Sequence, residues 1–540
     1  MSSPSVATIL RDHVALSISC VDRLYLNGYV PLLQAPGQIS TFCRQQLNAP
    51  IASPALFGPL LERFTNDVKR FADQHAIPII HFSRGQKKDR IAAQHRAGFA
   101  ADEGVVFIGI AQEKATSFKG QKQVSEQGVS FTFSRQSVYV NQVYFYIQDR
   151  EWGPAFIKVG TYLPYPVRVC LNGHEWAKQQ ARRRGLAFES LDNGFRWCAD
   201  PARLQRICDR LGADDVQRFF DRWLRRLPWP LTTADRAAGY QHRLTIWQLE
   251  VSLTQIFDAP LHGRHFFETV IGDNLDMGRP DRVHLLFPTR MTRRTPAPRR
   301  GYHTRVITTG VAPNLHISYK HSDLKQYLKG LREADGRGLR TELTVNDTRD
   351  FEIGRGLTNL AALRQVGFQA TRRLLDVQRL SQDCTIGEVT VERVHQPVIV
   401  QGQRAPALRF LDPRVLALFM ALVVFRLLPH GFRAQDLRQH VAPLLGKAPR
   451  ELSLGQLTYD LRRLRLHGLI ERLPQQHRYR VTDMGLRVAA FVPRLWARTL
   501  RPGLATVMPD TAPNDSALRR AFERLEDAMD DWCAEPKVAA

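Results

Sequence analysis

The sequence predicts a multidomain protein of the α+β class, and two observations support this prediction. The chain has 540 residues, which corresponds to about three or four domains. Near the N-terminus, an apolar strand at residues 77–82 is followed by a polar loop, a helix from Asp89 and a second apolar strand at residues 104–110. That β-loop-α-β order is typical of a domain in which helices cover a sheet.

Changes in the spacing of apolar residues divide the rest of the chain into segments. Apolar residues recur at helical spacing from Asp200 to Phe257, whereas alternating residues at 316–329 and 339–346 indicate strands. The five predicted segments are a mixed α/β domain at residues 1–199, a helical segment at 200–285, a β-rich basic segment at 286–404, a domain of helices with a short hairpin at 405–500, and a tail with a short acidic helix at 501–540.

The charge balance favours a polyanionic partner. The chain carries 76 Lys and Arg residues against 52 Asp and Glu residues, a formal net charge of +24. Such an excess is most often found in proteins that bind nucleic acid. A GC-rich, bacterial genome accounts for the choice of arginine over lysine, but not for the excess of positive charge.

Cysteine usage predicts a cytoplasmic protein. The seven cysteines are scattered, and none forms a CxxC pair, which argues against both a disulfide framework and a cysteine zinc site. The N-terminus lacks the basic and apolar regions of a signal peptide. The longest apolar run, at residues 416–425, is too short to span a bilayer. We therefore expect no membrane partner.

Local signals in residues 405–500 agree on one small domain. Asp412 and Pro413 begin a helix, and the segment 415–428 is apolar nearly all round. A second helix follows after residues 429–431. A third begins at Ser453, where Gln456 completes a capping box. The sequence then predicts strands at 470–473 and 478–481 and a last helix that starts at Thr482-Asp483 and runs into Trp496.

The third helix has an apolar face and a basic face. Leu457, Leu461 and Leu464 fall at i, i+4 and i+7 and are predicted to face inward. Thr458, Arg462 and Arg465 occupy the opposite face, and the residues flanking them are Gln456, Tyr459 and Arg463.

This order of elements resembles the winged helix-turn-helix family over about a sixth of the chain. The resemblance implies that the third helix enters the major groove of DNA. Its reading residues would be Gln456, Thr458, Tyr459, Arg462, Arg463 and Arg465, and Arg478 and Arg480 would belong to the wing. DNA is favoured over RNA, because a helix fits the major groove. As a whole, the chain also resembles a bacterial family associated with mobile elements.

Two upstream loops are further candidates for phosphate contact. Arg84, Lys87 and Lys88 follow a predicted strand, at the end where α/β sheets bind ligands; the competing interpretation is a solvated turn. A second loop, rich in proline and arginine, contains Arg293, Arg294, Arg299 and Arg300. It is either a linker or a surface that faces nucleic acid.

An enzymatic hypothesis uses acidic residues near the central strands. Asp149, Glu151, Glu175 and Asp192 are predicted in turns or at strand ends, and Lys158 follows on a strand. A metal-dependent nuclease or recombinase-like enzyme would hold Mg²⁺ or Mn²⁺ there. An acidic turn before a strand lysine resembles the restriction-endonuclease-like core. Phe156, however, occupies the position two before Lys158 where that core has an acid.

Two more hypotheses concern a metal ion and an assembly role. His262, His265 and Glu268 give an H-x-x-H-x-x-E pattern, and two histidines three residues apart on a helix can bind a metal. The winged helix could instead serve only protein contacts, for example in a homo-oligomer, with its arginines solvated. A nucleic-acid-binding protein remains the leading prediction.

Overall fold

The computed structural model of the protein describes residues 5–126, 128–277, 302–307, 314–319, 321–329, 336–382, 388–410, 412–425, 431–474 and 476–495, together with Arg520 and Arg524. The chain forms two compact units. We call Arg11–Arg372 the body, and Arg373–Ala540 with Met1–Leu10 the C-terminal unit. The predicted multidomain α+β class is confirmed.

Thirteen described strands belong to the body. They are β1 (Val14–Tyr29), β2 (Ile79–His81), β3 (Gly104–Ser125), β4 (Gly128–Asp149), β5 (Gly153–Gly160), β6 (Val167–Asn172), β7 (Phe188–Leu191), β8 (Gly194–Cys198), β9 (Arg243–Phe257), β10 (Tyr302–Ile307), β11 (Asn314–Tyr319), β12 (Ser322–Leu328) and β13 (Gly338–Val345).

Ten α-helices are described within the first 382 residues. They are α1 (Val6–Asp12), α2 (Pro36–Gln45), α3 (Phe57–Gln74), α4 (Lys88–Ala97), α5 (Gly173–Arg183), α6 (Pro201–Cys208), α7 (Ala213–Arg226), α8 (Thr233–Ala237), α9 (Pro260–Met277) and α10 (Leu360–Gln382). Helices α1 and α10 each cross the boundary between the two units.

Eleven strands form one sheet in the order β10-β11-β12-β13-β9-β1-β6-β5-β4-β3-β2. Neighbouring strands are antiparallel except β2 and β3, which are parallel and joined through α4, as the β-loop-α-β prediction requires. Alternation along the strands gives the sheet two different faces. In β5, for example, Ile157 and Val159 are fully buried, whereas Phe156 and Lys158 are partly exposed.

The helical prediction for residues 200–257 is correct only in its first part. Helices α6, α7 and α8 occupy it as far as Ala237, but Arg243–Phe257 is strand β9. The reason is visible in the segment itself, because RLTIWQLEVSLTQIF carries apolar residues at alternate positions, which is the period of a strand. The segment 286–404 contributes β10 to β13 to the same sheet, and it also contains all of α10 and a further helix.

A buried ionic network lies where β1 meets its neighbours. The Asp22 carboxylate on β1 accepts a hydrogen bond from Ser252 Oγ on β9 at 2.6 Å, and its second oxygen is 2.6 Å from Nη2 of Arg340 on β13. His174 Nε2 at the start of α5 contacts the same carboxylate. Arg340 is 1% exposed and also donates to the carbonyl of Asn193. One carboxylate thereby links three strands, a helix and a loop.

The network stabilises the charged forms of Asp22 and His174. Burial raises the pKa of Asp22, but Arg340 and His174 outweigh it and lower the pKa below its ordinary value. Burial likewise lowers the pKa of His174, and the neighbouring Cys20 and Asp22 raise it to about 9. At neutral pH, a negative carboxylate is therefore enclosed by two positive groups.

We expect Asp22→Asn to destabilise the body by about 3–5 kcal/mol, because Arg340 and His174 would both lose the buried carboxylate that faces them, and Arg340 would keep only its contact with the more exposed Glu342. Six of the eight tryptophans are in the body, so intrinsic fluorescence during urea denaturation measures the change. Asp67→Asn is the control, since Asp67 is 36% exposed and pairs with the exposed Arg70 at 3.3 Å. Equal midpoints for the two variants would show that the buried network does not stabilise the fold.

The C-terminal unit combines helices with two short hairpins. Its remaining elements are α11 (Glu388–His395), β14 (Val398–Val400), β15 (Gln403–Ala405), α12 (Pro413–Phe425), α13 (Ala434–Leu444), α14 (Leu454–Leu466), β16 (Ile470–Arg472), β17 (Tyr479–Val481) and α15 (Asp483–Leu495). The elements predicted within residues 405–500 are found in the predicted order.

A bridge joins the segment between α12 and α13 to the second hairpin of this unit. The backbone N–H of Phe432 donates to the carbonyl of Tyr479 at 2.8 Å, and the reverse bond is also 2.8 Å. Gly431 has a φ of 66°, and a Cβ there would lie 2.2 Å from the Tyr479 carbonyl oxygen. A glycine is therefore required for this close approach.

We expect Gly485→Ala to destabilise the C-terminal unit by about 1–3 kcal/mol through overpacking. A Cβ on Gly485, in α15, would lie 2.0 Å from the backbone oxygen of Leu469. Amide hydrogen exchange in α12 and α15 measures the effect. Gly455→Ala in α14 is the matched control, because its nearest neighbouring atom is 3.9 Å away; faster exchange in both variants would contradict the steric explanation.

Candidate functional site

Helix α14 begins with the predicted capping box. Ser453 Oγ accepts a hydrogen bond from the Gln456 backbone N–H at 3.2 Å, and Gln456 Oε1 accepts one from the Ser453 N–H at the same distance. These bonds satisfy two backbone donors that a helix start leaves unpaired. They define the first turn of the helix, from which the exposed residues of its outer face follow.

The outer face of α14 carries positive charge only. Leu457, Leu461 and Leu464 are buried, as predicted. The exposed residues are Leu454, Gly455, Gln456, Thr458, Tyr459, Arg462 and Arg465. The only acid of the helix, Asp460, is fully buried and lies 2.7 Å from Nη2 of Arg414 on α12. The two outward arginines therefore have no acid on their own helix face.

Arg463 does not belong to this face, contrary to the prediction. It is 8% exposed, and its Nη2 donates to the carbonyl of Ala407 at 2.7 Å. Its guanidinium also lies 5.6 Å from the ring centroid of Tyr459. Arg463 follows Asp460 by three residues, so both lie on the same side of the helix and point inward.

The predicted wing is a hairpin of β16 and β17, in which Ile470 pairs with Val481. Arg480 is 49% exposed and pairs with Glu471 across the hairpin at 2.6 Å. Arg478 is partly buried, and its Nη1 donates to the carbonyl of Gly431 at 3.1 Å. The wing arginines are thus held in place by contacts within the unit.

In the body, the three predicted cations at the loop before α4 have different surroundings. Arg84 and Lys87 are exposed. Lys88 instead begins α4 and is 28% exposed, with Nζ 3.0 Å from the hydroxyl of Tyr144 on β4 and in contact with Glu113 on β3. Two of the three predicted cations therefore face solvent, and the third reaches the sheet.

Glu113 is the centre of a cluster that also contains Lys88, Tyr144 and Lys158. The Tyr144 hydroxyl donates to Oε1 of Glu113 at 2.6 Å, and Lys158 Nζ donates to Oε2 at 2.6 Å. Burial raises the pKa of Glu113, but the hydrogen bonds from Lys158, Lys88 and Tyr144 lower it to about 2. Lys158, predicted to act with acids of the β4–β5 turn, is thus paired with an acid on another strand.

Tyr144, Lys158, Arg168, Trp247 and Tyr25 form what we call the sheet-face row. Cross-strand pairing places Tyr144 beside Lys158 and Lys158 beside Arg168. The Arg168 guanidinium lies 4.3 Å from the ring centroid of Trp247, which meets Tyr25 edge-on at 6.0 Å. Arg168 is exposed, and Lys158, Trp247 and Tyr25 are partly exposed.

Sequence reasoning did not identify the sheet-face row. Its only signal is that Lys158 and Arg168 alternate with residues of the apolar face in β5 and β6. Their proximity depends on the register between strands, which a sequence does not display.

Asp149, a predicted catalytic residue, has a structural role. It is 1% exposed, and its Oδ1 accepts from the backbone N–H groups of Glu151 and Trp152 at 2.8 and 3.0 Å. Its Oδ2 accepts from Arg222 at 2.6 Å and from Trp223 Nε1 at 2.7 Å. These bonds attach the β4–β5 turn to α7 and occupy both oxygens.

The remaining acidic candidates have separate surroundings. Glu151 pairs with Arg183 at 3.0 Å, and Glu175 pairs with Lys178 at 2.7 Å. Asp192 is exposed in the turn between β7 and β8. Within the part of the chain that the structure describes, none of the predicted acids belongs to a group of three metal-ligand atoms.

The predicted pair His262 and His265 does not form a joint site. His262 Nδ1 lies 2.6 Å from Oδ1 of Asp258, a residue that was not predicted. Glu268 is 68% exposed and lies 3.7 Å from Arg264. Arg293, Arg294, Arg299, Arg300 and the acidic tail helix lie outside the described residues.

Comparisons with protein-family models, with curated proteins and with solved structures found no match for this chain. No helix among the described residues has both the length and the apolar character needed to cross a membrane. The candidate sites must therefore be judged on their own geometry.

We expect Glu113→Gln to destabilise the body by about 1–3 kcal/mol near neutral pH, because charge-assisted hydrogen bonds are lost. Folding lowers the pKa of Glu113, so its contribution is complete above the ordinary value of 4.5 and disappears as the pH falls through about 2. The difference in stability between variant and parent should shrink across that interval in fluorescence-monitored denaturation.

Glu189→Gln is the control for this measurement, because Glu189 is 63% exposed and lies 3.9 Å from Arg196. We expect it to unfold like the parent at each pH. A pH-independent loss in Glu113→Gln would contradict the assigned pKa.

Proposed function

We propose that the protein binds nucleic acid, and that the C-terminal unit contains a winged helix whose helix α14 enters the major groove of DNA. The observation that carries this proposal is the outer face of α14. Arg462 and Arg465 are exposed there beside Gln456, Thr458 and Tyr459, while Asp460 is fully buried. Arginine forks pair with guanine edges or phosphates, and glutamine and threonine also contact bases.

The order of elements supports the winged helix assignment. Helix α12 is followed by the Phe432–Tyr479 bridge, helices α13 and α14, the β16–β17 hairpin and helix α15. The bridge adds a short strand-like segment beside the hairpin, as in winged helices. In such a domain the helix before the hairpin is the one that enters the groove.

DNA is preferred over RNA as the partner. The major groove of B-DNA is wide enough to admit a helix. The corresponding groove of double-stranded RNA is deep and narrow, and side chains do not reach its bases. An exposed basic helix such as α14 therefore suits duplex DNA.

The sheet-face row supports a second contact on the body. Lys158 and Arg168 supply positive charge, and Trp247 and Tyr25 supply aromatic surface. Cations and aromatic rings together bind phosphates and bases without sequence preference. The net charge of +24 adds a general attraction for such a partner.

The cellular setting is also a proposal. Five described cysteines, Cys20, Cys43, Cys170, Cys198 and Cys208, are free thiols. Free thiols are the normal state in a reducing compartment, and this supports the proposal of a cytoplasmic location. An association with a mobile element remains a prediction of the sequence.

The nuclease hypothesis is not favoured by the described residues. A nuclease needs carboxylates that converge on Mg²⁺ or Mn²⁺, whereas Asp149 is enclosed and Glu151 and Glu175 have separate basic partners. Lys158 is paired with Glu113.

We expect Arg462→Ala/Arg465→Ala to weaken binding to a fluorescent DNA duplex, by about 1–3 kcal/mol for each arginine that contacts a base. If the arginines contact phosphates, the slope of log K against log salt should fall by about one for each. Fluorescence anisotropy at several salt concentrations measures both quantities.

Arg379→Ala/Arg409→Ala is the matched control, because both arginines are exposed in the same unit and the charge change is identical. Light scattering on each variant tests the assembly hypothesis. Unchanged DNA affinity with a changed oligomeric state in Arg462→Ala/Arg465→Ala would replace DNA binding with protein assembly as the role of this helix face.

A further inference from the structure

A cluster of two histidines and one aspartate lies at one end of the β1–β9 strand pair. His13 directly precedes β1, Asp258 directly follows β9, and His262 lies in the first turn of α9. The antiparallel pairing of Val14 with Phe257 brings His13 and Asp258 together, and the Asp258 N–H donates to the His13 carbonyl at 3.1 Å.

Both imidazole rings contact the Asp258 carboxylate through their Nδ1 atoms. His13 Nδ1 is 2.8 Å from Oδ2 of Asp258, and His262 Nδ1 is 2.6 Å from Oδ1. The two imidazole centroids are 3.7 Å apart. All three ligand atoms lie within 4.8 Å of one another. With side chains that are 28%, 46% and 21% exposed for His13, Asp258 and His262, the cluster is open to solvent.

We propose that His13, Asp258 and His262 bind a divalent transition-metal ion of the zinc type through the two Nδ1 atoms and one carboxylate oxygen. Two imidazoles and a carboxylate form a common ligand set for such ions, and three protein ligands leave a position for water or another ligand. This site is independent of the proposed DNA-binding face, because it lies in the body.

The geometry needs only a small adjustment to hold the ion. Zinc ligands lie about 2.0–2.2 Å from the metal, so neighbouring ligand atoms in a tetrahedral site are about 3.3–3.5 Å apart. If Oδ1 of Asp258 is the ligand, its distance of 2.6 Å from His262 Nδ1 must increase by about 0.7–0.9 Å, and if Oδ2 is the ligand, its distance of 2.8 Å from His13 Nδ1 must increase by about 0.5–0.7 Å. Rotation of partly exposed side chains supplies a change of that size.

The charge of the cluster suits a cation. Asp258 supplies an anionic carboxylate oxygen, and protein ligands of this kind bind metal ions in their deprotonated forms. The bound ion would connect the beginning of β1 with the end of β9 and with α9, although His13 and Asp258 are 245 positions apart in the chain.

Zinc titration of the chelator-treated full chain, by competition with a colorimetric chelator, tests the proposal. We expect one tight equivalent in the parent and its loss in His13→Ala, His262→Ala and Asp258→Asn. His265→Ala is the matched control, because His265 lies on the same helix, is partly exposed and is outside the cluster. Equal binding by the parent and the three cluster variants would overturn the proposal.

A second measurement separates a metal site from a set of hydrogen bonds. His13→Gln keeps an N–H donor for Asp258 but removes the imidazole ligand. We expect zinc to raise the Tm of the parent and of His265→Ala, and to leave the Tm of His13→Gln unchanged. If zinc shifts none of the three, or shifts His13→Gln as much as the parent, the cluster is held by hydrogen bonds alone.

Discussion

The charge of Asp22 is the constraint on which the body depends most. It lies on β1, which pairs with β6 on one side and β9 on the other, so both halves of the sheet meet at this strand. A lone buried carboxylate would cost several kcal/mol. Here Arg340, His174 and Ser252 surround it, and each of these partners comes from a different element. The Asp22 carboxylate has all of these partners only when those elements are assembled together.

The pairing of acids with basic side chains also determines which charges each candidate surface exposes. In α14, Asp460 is paired inside with Arg414, which leaves arginine as the only charged residue type on the outer face. In the sheet, Glu113 holds Lys88 and Lys158 in position beside Tyr144. Asp460 therefore leaves the outer face of α14 without an acid, whereas Glu113 orders two lysines and offsets one of their two charges.

Structure that depends on residues near one another in the chain can be predicted from the sequence better than contacts between distant residues. The elements of residues 405–500 were predictable because a capping box, a glycine stop and a 3.6-residue period are all local. The body was less predictable, since Asp22 and Arg340 are 318 positions apart and Lys158 and Glu113 are 45 apart. Their pairing depends on strand register, so Lys158 was assigned to the nearer acids, Asp149 and Glu151. Strand β9 lies in a segment that was predicted to be helical, because the residues before it have helical spacing.

The distribution of paired acids also bears on the proposed binding of a polyanion. Each buried pair, such as Asp22 with Arg340 or Asp149 with Arg222, removes one charge of each sign from the surface. The excess of positive charge is unchanged, while fewer acids remain to screen it. A diffuse positive field attracts a polyanion without selecting its orientation. In the proposed complex with DNA, orientation would come from a surface whose shape fits a groove, and the outer face of α14 is the surface that we propose for this role.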